Sequence, residues 1–290
     1  MAKRFLEACF ISSTVIVMAI PTGMFLVRLK STVLSVNGMM KECTLVCKLQ
    51  ASETIGEANE ICTDMTGTLT QHRMTVMALY SEDAIREGMT DDELQSRGSC
   101  EKLAQCVLYN CFAFMDTNYK GETVCKGNPT DVGLFNFLMG SGIDCEKYIA
   151  QKAEEGFILF KIPFTSKRKR QTTVVLIDGA VRVFVKGAPE IVIQHCDSMI
   201  GENGEEVDLN QERKDEIIGD TVVKKFAAKC YRTLLVAYSD YSLDEWETLK
   251  RENNNLEDDK SKEVIENRLV LAGIFGLMDP LRSGIITAVT

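Results

Sequence analysis

The chain has 290 residues, enough for about two domains, and its hydrophobic and charged fractions of 45% and 26% are those of an ordinary globular protein. Its net charge of −9 comes with no dominant basic stripe, which argues against nucleic acid as a partner. The 11 cysteines do not make a disulfide scaffold in a chain of this length, and spacings such as Cys43/Cys47 match no strong zinc pattern, so we expect reduced, packed thiols in a cytosolic body.

The first predicted element is an apolar segment, residues 5–27, whose one charged residue is Glu7. About twenty apolar residues suffice to cross a bilayer. A signal peptide or a buried core helix has a similar pattern, but no clear small-residue cleavage site follows, and the basic residues Arg28 and Lys30 favour the cytoplasmic side. Pro21-Thr22-Gly23 interrupts the segment, because proline removes a helix hydrogen bond and glycine loosens the backbone. We therefore predict a membrane-spanning helix with a break or a simple kink.

The most informative run is residues 60–70, which read Glu-Ile-Cys-Thr-Asp-Met-Thr-Gly-Thr-Leu-Thr. A β-prone stretch followed by small turn-forming residues predicts a buried strand that presents the Asp64 carboxylate at its carboxyl end, where open α/β sheets bind ligands. A carboxylate there can attack phosphorus and form an aspartyl phosphate. The hydroxyl and N–H groups of Thr66, Gly67 and Thr68 can hold phosphate oxygens. An ordinary strand-to-loop turn is the alternative interpretation, since Asp and Gly are common in turns.

Beyond Val76 the pattern predicts a separate body, a mainly antiparallel sheet with helices, inserted into a second domain. Asp178-Gly179 is a strong hairpin signal between two apolar runs. The predicted strands are residues 157–164, 172–177, 180–186, 232–239 and 268–277, the predicted helices are residues 103–114, 129–139, 189–196 and 211–229, and residues 253–262 are a predicted solvated loop.

The run Asp64-Met65-Thr66-Gly67-Thr68-Leu69-Thr70 resembles the phosphorylation loop of the P-type cation-transporting ATPases, usually written DKTGTLT. The resemblance implies that Asp64 is the phosphorylated nucleophile and that Asp64 and the Thr66 carbonyl bind Mg²⁺. Met65 replaces the family's lysine and removes a positive charge beside a phosphate, where charge would stabilise a developing anion. This departure predicts slow turnover or none.

Other clusters in the body are similar to the ATP-binding region of the same family. Residues 127–131 resemble its GxxTE segment, residues 164–170 its F-S-x-x-R-K segment, and residues 184–190 its KGAPE motif. Residues 277–282 resemble its DPPR segment, where the chain returns to the phosphorylation domain. The nucleotide-binding residues that these matches imply are Thr130, Asp131, Phe164, Lys169, Lys186, Gly187, Arg232, Asp279 and Arg282.

Physical chemistry is compatible with each implied role. Phe164 offers a flat apolar face for adenine, Lys169 and Arg232 can pair with phosphates, Lys186 can enter a pocket, and Asp131 can accept a hydrogen bond from the adenine amine. Taken singly, a phenylalanine before a turn is more often a core residue, and the basic run at 167–170 is more often a solvated turn. All the clusters occur in the family's order, which favours a nucleotide pocket.

The apolar segment is similar to the family's fourth transmembrane helix, whose PEGLP signature corresponds to residues 21–25. The resemblance implies that the carbonyls of Val17, Met18 and Ile20, together with Thr22, lie on the path of the transported cation. Thr22 replaces the family's glutamate, and a neutral hydroxyl does not supply the carboxylate that Ca²⁺ prefers.

The resemblance implies an α/β fold: a partial Rossmann-like (HAD-type) phosphorylation domain with an inserted α+β nucleotide-binding domain, preceded by one transmembrane helix. We expect the transmembrane helix at 1–29, a stalk at 30–55, the partial phosphorylation domain at 56–76 and 268–290, and the nucleotide-binding domain at 77–267.

The function implied is ATP-driven transport of a cation, with ATP and Mg²⁺ as cofactors, the lipid bilayer as a partner and the bulk of the chain in the cytosol. The clusters look most like calcium pumps of the plasma-membrane type, so Ca²⁺ is the expected ion. Because later family motifs such as TGD and GDGxND do not follow, we expect an incomplete segment. A catalytically inactive ATP-binding module or pump remnant remains an alternative. A soluble aspartate-nucleophile phosphatase is a third, which the apolar segment and Thr66 argue against.

Overall fold

A computed structural model of the chain describes residues 2–49, 51–88, 98–117, 123–256 and 259–290, without the side chains at 20–22, 123, 259 and 260. The chain divides into two compact units, Met1–Thr63 and Asp64–Thr290.

The smaller unit consists of helix α1 (Ala2–Lys41) and the short helix α2 (Ala51–Gly56). With a rise of 1.5 Å per residue, α1 is about 60 Å long, twice the thickness of a bilayer's hydrocarbon core. In the described part of the chain it is the one helix long and apolar enough to cross a membrane. The predicted interruption at Pro21 does not end the helix, because one proline removes a single backbone hydrogen bond and long helical stretches continue on both sides.

The predicted strand before Asp64 is absent, and this prediction was wrong. Residues 57–64 have no regular secondary structure, and Ile61 is 88% exposed. A strand requires a neighbour that shares its ladder of hydrogen bonds, and no strand in the described ranges pairs with these residues. Asp64 is therefore presented by an irregular segment.

The larger unit is built around a nine-stranded sheet, and a separate hairpin forms a second sheet of two strands. The strands are β1 (Thr75–Ser81), β2 (Ala84–Glu87), β3 (Phe114–Thr117), β4 (Thr123–Lys126), β5 (Ile158–Ile162), β6 (Arg170–Ile177), β7 (Ala180–Gly187), β8 (Cys196–Ile200), β9 (Glu206–Asp208), β10 (Arg232–Tyr241) and β11 (Leu269–Met278). The large sheet has the order β2-β1-β11-β10-β7-β6-β5 with antiparallel neighbours, while β8 pairs in parallel with β11 and β9 pairs with β8. The two-stranded sheet is β3-β4.

Helices cover both faces of this sheet. The helices are α3 (Cys100–Tyr109), α4 (Pro129–Gly140), α5 (Cys145–Lys152), α6 (Pro189–Val192), α7 (Gln211–Glu216), α8 (Leu243–Glu252), α9 (Asp259–Glu263) and α10 (Ile285–Val289). Successive residues of a strand point to opposite faces, so Phe184 packs in one core with α3 and α4, while Val183 packs in the other with Trp246 of α8. Two cores therefore fix the central strands between two helical layers.

Most predicted elements of this unit are confirmed, including the antiparallel sheet and the hairpin. Asp178 and Gly179 have φ angles of 51° and 78°, which are the angles of a type I′ turn. The predicted helix 103–114 instead ends at Tyr109, because the buried Asn110 side chain donates to the carbonyls of Gln171 and Phe184 on the sheet.

Two further predictions need correction. The helix expected at 189–196 is the short α6 followed by a 3₁₀ turn at Ile193–His195, and Cys196 begins β8. The loop expected at 253–262 contains a 3₁₀ turn at Asn254–Leu256 and α9, because Leu256 is buried in the core. The predicted helix at 211–229 is confirmed. It consists of α7, a π-helical segment at Ile217–Phe226 and a 3₁₀ turn at Ala227–Lys229. The cysteines are free thiols, but the expectation that they are mostly packed holds only in the larger unit, where the buried ones are Cys106, Cys111, Cys145 and Cys196. Five others are exposed: Cys9, Cys43, Cys47, Cys62 and Cys230.

Candidate functional site

One end of the large sheet brings together segments that are far apart in the sequence. Arg170 at the start of β6 pairs with Gly187 at the end of β7, and Gly187 pairs with Leu235 of β10. Arg232, the first residue of β10, pairs with Leu277 near the end of β11. Since the neighbouring strands are antiparallel, the starts of β1, β6 and β10 and the ends of β7 and β11 lie at the same end of the sheet. We call this the site end.

The Asp64 loop, residues 64–70, contains a tight turn that glycine makes possible. Thr66 has φ −73° and ψ 120°, and Gly67 has φ 81° and ψ −14°, which are the angles of a type II turn. Other residues adopt the positive φ of Gly67 only with strain. The Asp64 side chain accepts a hydrogen bond from the Met65 N–H at 2.8 Å, and both residues are exposed. The loop thus presents the Asp64 carboxylate on the surface, with Met65 beside it.

Asp279, just after β11, holds the Asp64 loop through its carboxylate. Its Oδ2 accepts a hydrogen bond from the Thr70 hydroxyl at 2.6 Å, and its Oδ1 accepts one from the Arg73 N–H at 3.1 Å. The Thr70 hydroxyl in turn accepts the Gly67 N–H at 3.1 Å. These contacts connect the end of β11 to the turn in the loop.

Arg282 completes this attachment. Its guanidinium donates to the Thr70 carbonyl at 3.0 Å and to the Gly67 carbonyl at 2.8 Å, and its backbone N–H donates to the Leu69 carbonyl at 2.9 Å. We call Asp279 and Arg282 the loop clamp. The sequence predicted nucleotide contacts for both residues, whereas the structure places their hydrogen bonds on the Asp64 loop.

The clamp depends on the ionised form of Asp279. Desolvation alone would raise the pKa of Asp279, but the hydrogen bonds from Thr70 and Arg73 outweigh it and hold that pKa below the ordinary value of 3.8. The stabilisation is therefore fully present above pH 3.8 and is lost as the pH falls through the lowered pKa.

Removing the clamp carboxylate should loosen the Asp64 loop without unfolding the sheet. For Asp279→Ala we expect amide hydrogen exchange in residues 64–73 to rise by about tenfold, because hydrogen bonds to a charged group contribute about 1.5–3 kcal/mol. Asp208→Ala, on the exposed strand β9, is the matched control and should leave this exchange unchanged. Unaltered exchange in Asp279→Ala would show that the clamp does not order the loop.

Asp131 and Lys186 form a buried ion pair at the core of the predicted nucleotide cluster. They are 3% and 6% exposed, and the Lys186 ammonium donates to Asp131 Oδ1. The other carboxylate oxygen of Asp131 accepts the Phe112 N–H at 2.9 Å. Asp131 lies in the first turn of α4, where the partial positive charge of the helix end also favours a carboxylate. Asn128 caps this helix by accepting the Thr130 N–H at 3.1 Å.

Gly187 lies next to this pair, where the backbones come too close for a side chain. A Cβ atom at this position would lie 2.5 Å from the Lys169 carbonyl oxygen and 2.7 Å from Arg170 Cβ. Glycine therefore permits β7 to end against the loop that bears Phe164 and Lys169.

Phe164, Lys169 and Arg232 lie on the surface of the site end. The Phe164 side chain is 55% exposed, whereas phenylalanine is among the residues most often buried. The turn after it is closed by the Lys169 N–H, which donates to the Thr165 carbonyl at 2.8 Å. Lys169 has φ 53°, and its ammonium lies 3.8 Å from a Glu190 carboxylate oxygen. Arg232 is exposed at the start of β10. The structure thus groups the predicted ring and cations at one end of one sheet.

The basic run 167–170 divides between surface and interior, which the sequence did not predict. Arg168 and Arg170 both pair with Glu266, which is fully buried and also accepts the Thr172 hydroxyl. Glu266 stands just before the apolar strand β11, and no pattern around it signals a buried carboxylate. The pairing of both arginines with Glu266 leaves Lys167 and Lys169 as the exposed cations of this run.

Mg²⁺ binding rests on few residues of this chain. In the described ranges no group of three His, Cys, Asp or Glu side chains is placed to hold a metal ion. Mg²⁺ usually takes one or two protein ligands and completes its shell with substrate phosphates and water. Asp64 supplies one exposed carboxylate of the kind that Mg²⁺ prefers, and the Thr66 carbonyl stays a predicted second ligand; alone the two make a poor site. Of the predicted ion path, Val17 and Met18 lie on α1, whereas the side chains of Ile20 and Thr22 fall outside the described part.

The sequence is similar to known ATPases over nearly its whole length. Residues 99–284 match the family model described as P-type ATPase, cytoplasmic domain N. The chain is 33% identical to plasma membrane calcium-transporting ATPase 2 of Oreochromis mossambicus over 99% of its own length and 25% of that protein's. It is 30% identical to calcium-transporting ATPase 4, plasma membrane-type, of Arabidopsis thaliana (99% and 26%), and 31% identical to plasma membrane calcium-transporting ATPase 1 of Homo sapiens (99% and 23%). The chain spans about a quarter of the length of these relatives.

Proposed function

Because this chain belongs to the P-type ATPases and contains their cytoplasmic domain N, we propose that it binds ATP at the site end. Asp64 then accepts the γ-phosphoryl group. The observation that supports this most strongly is the loop clamp. The Asp64 loop leads into β1, which pairs with β11, and Asp279 and Arg282, just after β11, hold that loop by hydrogen bonds.

The proposed division of labour follows from burial and charge. Phe164 stacks on adenine, Lys169 and Arg232 bind phosphate oxygens, and the buried Asp131–Lys186 pair with Gly187 shapes the floor of the nucleotide site. Asp64 attacks the γ-phosphorus in line, which forms the aspartyl phosphate and releases ADP. Thr66, Gly67 and Thr68 hold the transferred phosphoryl oxygens with N–H and hydroxyl groups. Mg²⁺ held by Asp64 and the Thr66 carbonyl would neutralise phosphate charge.

We further propose that these residues belong to a calcium pump in a membrane. α1 would span the bilayer, the larger unit would lie in the cytosol, and residues 56–76 and 268–290 would be part of a HAD-type phosphorylation domain. The names of the relatives support Ca²⁺ as the ion, while Thr22 in place of a carboxylate weakens that choice.

A catalytically inactive ATP-binding module is the second candidate, and Met65 favours it. Met65 is 64% exposed beside Asp64 and has no charge to offer a transferring phosphoryl group. This candidate retains the nucleotide site and lacks the aspartyl phosphate.

Nucleotide binding tests the part that both candidates share. With the full chain in detergent micelles, calorimetry should detect ATP binding, and Phe164→Ala should weaken it by about tenfold or more, since stacking of a base on an aromatic ring contributes about 1–3 kcal/mol. Leu243→Ala removes a side chain of similar exposure, 48%, at the start of α8 and should leave the affinity unchanged. Equal affinities for wild type and Phe164→Ala would refute the proposed site.

A further inference from the structure

A cavity of about 320 Å³ lies between the end of α3, α5 and the edge strand β5. Its lining includes Leu108, Phe112, Phe114, Ile149, Lys152 and Lys161. Among the described residues, its lining includes none of Phe164, Lys169, Lys186 and Arg232. It adjoins the nucleotide cluster, because Phe112 donates its N–H to Asp131, but its lining is its own.

The walls of this cavity suit an aromatic ring. Leu108 is buried in its wall, whereas Phe112 and Phe114 are 43% and 55% exposed. The volume is at the low end of the range of about 300–1,000 Å³ that is typical of small-molecule sites, which are mostly apolar with a few placed polar groups. Aromatic rings exposed at such a cavity provide faces for offset stacking.

The polar groups of the cavity are ammonium groups. Lys152 donates to the Leu108 carbonyl at 3.2 Å and to the Cys111 carbonyl. An ammonium has three N–H donors, so one remains for a further acceptor. The Lys161 ammonium lies 5.2 Å from the centroid of the Phe112 ring, close enough for a cation–π contact.

The balance of charge around these groups is positive. Burial lowers the pKa of Lys152, and the positive charges of Lys161 and Lys186 lower it further. The nearby carboxylate of Asp131 is already paired with Lys186. A bound anion would relieve the repulsion between Lys152 and Lys161.

We propose that this cavity binds a small aromatic carboxylate, whose ring packs against Phe112 and Phe114 and whose carboxylate accepts hydrogen bonds from Lys152 and Lys161. The aromatic ring would make apolar contacts with the cavity walls. The carboxylate's single negative charge would pair with the two ammonium groups. The proposal is independent of ATP hydrolysis and of Asp64.

Calorimetric titration of the full chain with 2-naphthoate, without ATP, tests the proposal, and 2-naphthamide serves as the neutral isostere. We expect the carboxylate to bind at least about tenfold more tightly than the amide, because a charge-assisted hydrogen bond is about twice as strong as a neutral one. Lys161→Met should weaken 2-naphthoate by about tenfold, and Lys161→Arg should retain its binding. Lys161 is exposed on the edge strand β5, so this variant avoids the helix-capping role of Lys152. Lys250→Met, in a groove formed by β5 and α8, is the matched control and should bind as wild type does.

The proposal is overturned if the amide binds as tightly as the carboxylate, if Lys161→Met binds as tightly as wild type, or if no binding is detected at about 10 mM. A normal ATP affinity in the same preparation would show that such a failure concerns this cavity alone. Loss of ATP binding with intact 2-naphthoate binding would instead count against the nucleotide site.

Discussion

Lys186→Met should destabilise the larger unit by about 3–5 kcal/mol, because it leaves the Asp131 carboxylate buried without its counter-charge. Asp131 is 3% exposed, and in this variant its carboxylate retains the hydrogen bond from the Phe112 N–H but loses the one from the Lys186 ammonium. Methionine nearly conserves the volume of the lysine stem, so the effect reports the lost charge. The free energy of unfolding from urea titration measures it.

The double variant Asp131→Leu/Lys186→Met should recover much of this loss, since replacing a whole buried ion pair by apolar groups is often close to neutral. The exposed pair Asp116–Lys126 is the control: its side chains are 46% and 52% exposed, and Lys126→Met should leave the free energy of unfolding close to that of wild type, because solvent screens the pair. If Lys186→Met unfolds within 1 kcal/mol of wild type, the pair does not support the fold as described. Lys186→Met and the double variant also separate a stability effect from a direct contact with ATP. If the ion pair contacts ATP directly, the double variant binds ATP more weakly than wild type even though its stability is restored. If the pair acts only on stability, the double variant binds ATP as wild type does.

Met65→Lys should accelerate phosphorylation of Asp64 by about a hundredfold. It places a cation next to the transferring phosphoryl group, where a single preorganised donor contributes about 10²–10³ in rate. Met65 is 64% exposed, so lysine fits without repacking. Single-turnover transfer of label from γ-³²P-ATP measures the rate.

Ile61→Lys provides the matched control, because it adds the same charge to an 88% exposed position three residues before Asp64. It should leave the rate within about twofold of wild type, since solvent screens such a charge. Equal acceleration by both lysines would indicate a general electrostatic effect in place of a specific contact. No phosphorylation even in Met65→Lys would favour the inactive ATP-binding module.

The elements that local chemistry determines could be predicted from the sequence. Asp178-Gly179 favours the positive φ angles of a type I′ turn, and the apolar strands on either side are buried along most of their length, as in a sheet covered on both faces. Pro129 and the cap Asn128 likewise mark the start of α4. At the site, the resemblance to the family's motifs selected Phe164, Lys169, Lys186 and Arg232, and the fold brings these residues to one end of the sheet.

The remainder depends on partners distant in the sequence. The short stretch Ile61-Cys62-Thr63 before Asp64 is β-prone but has no ladder partner in the described chain. Asp279 and Arg282 resemble phosphate-binding residues, yet Thr70 and Gly67, more than 200 residues earlier, take their hydrogen bonds. Glu266 is buried because two arginines nearly a hundred residues away converge on it. Local pattern holds no information on these pairings, because they form only when the sheet is assembled.

The most direct measurement of the central claim is the identity of the residue that ATP modifies. After incubation of the full chain with ATP, borohydride reduces an aspartyl phosphate to homoserine, and peptide mass spectrometry locates the product. We expect homoserine at position 64, dependent on ATP, enriched in Met65→Lys and absent from Asp64→Asn. ATP binding without homoserine at position 64 in either the wild type or Met65→Lys would contradict the account.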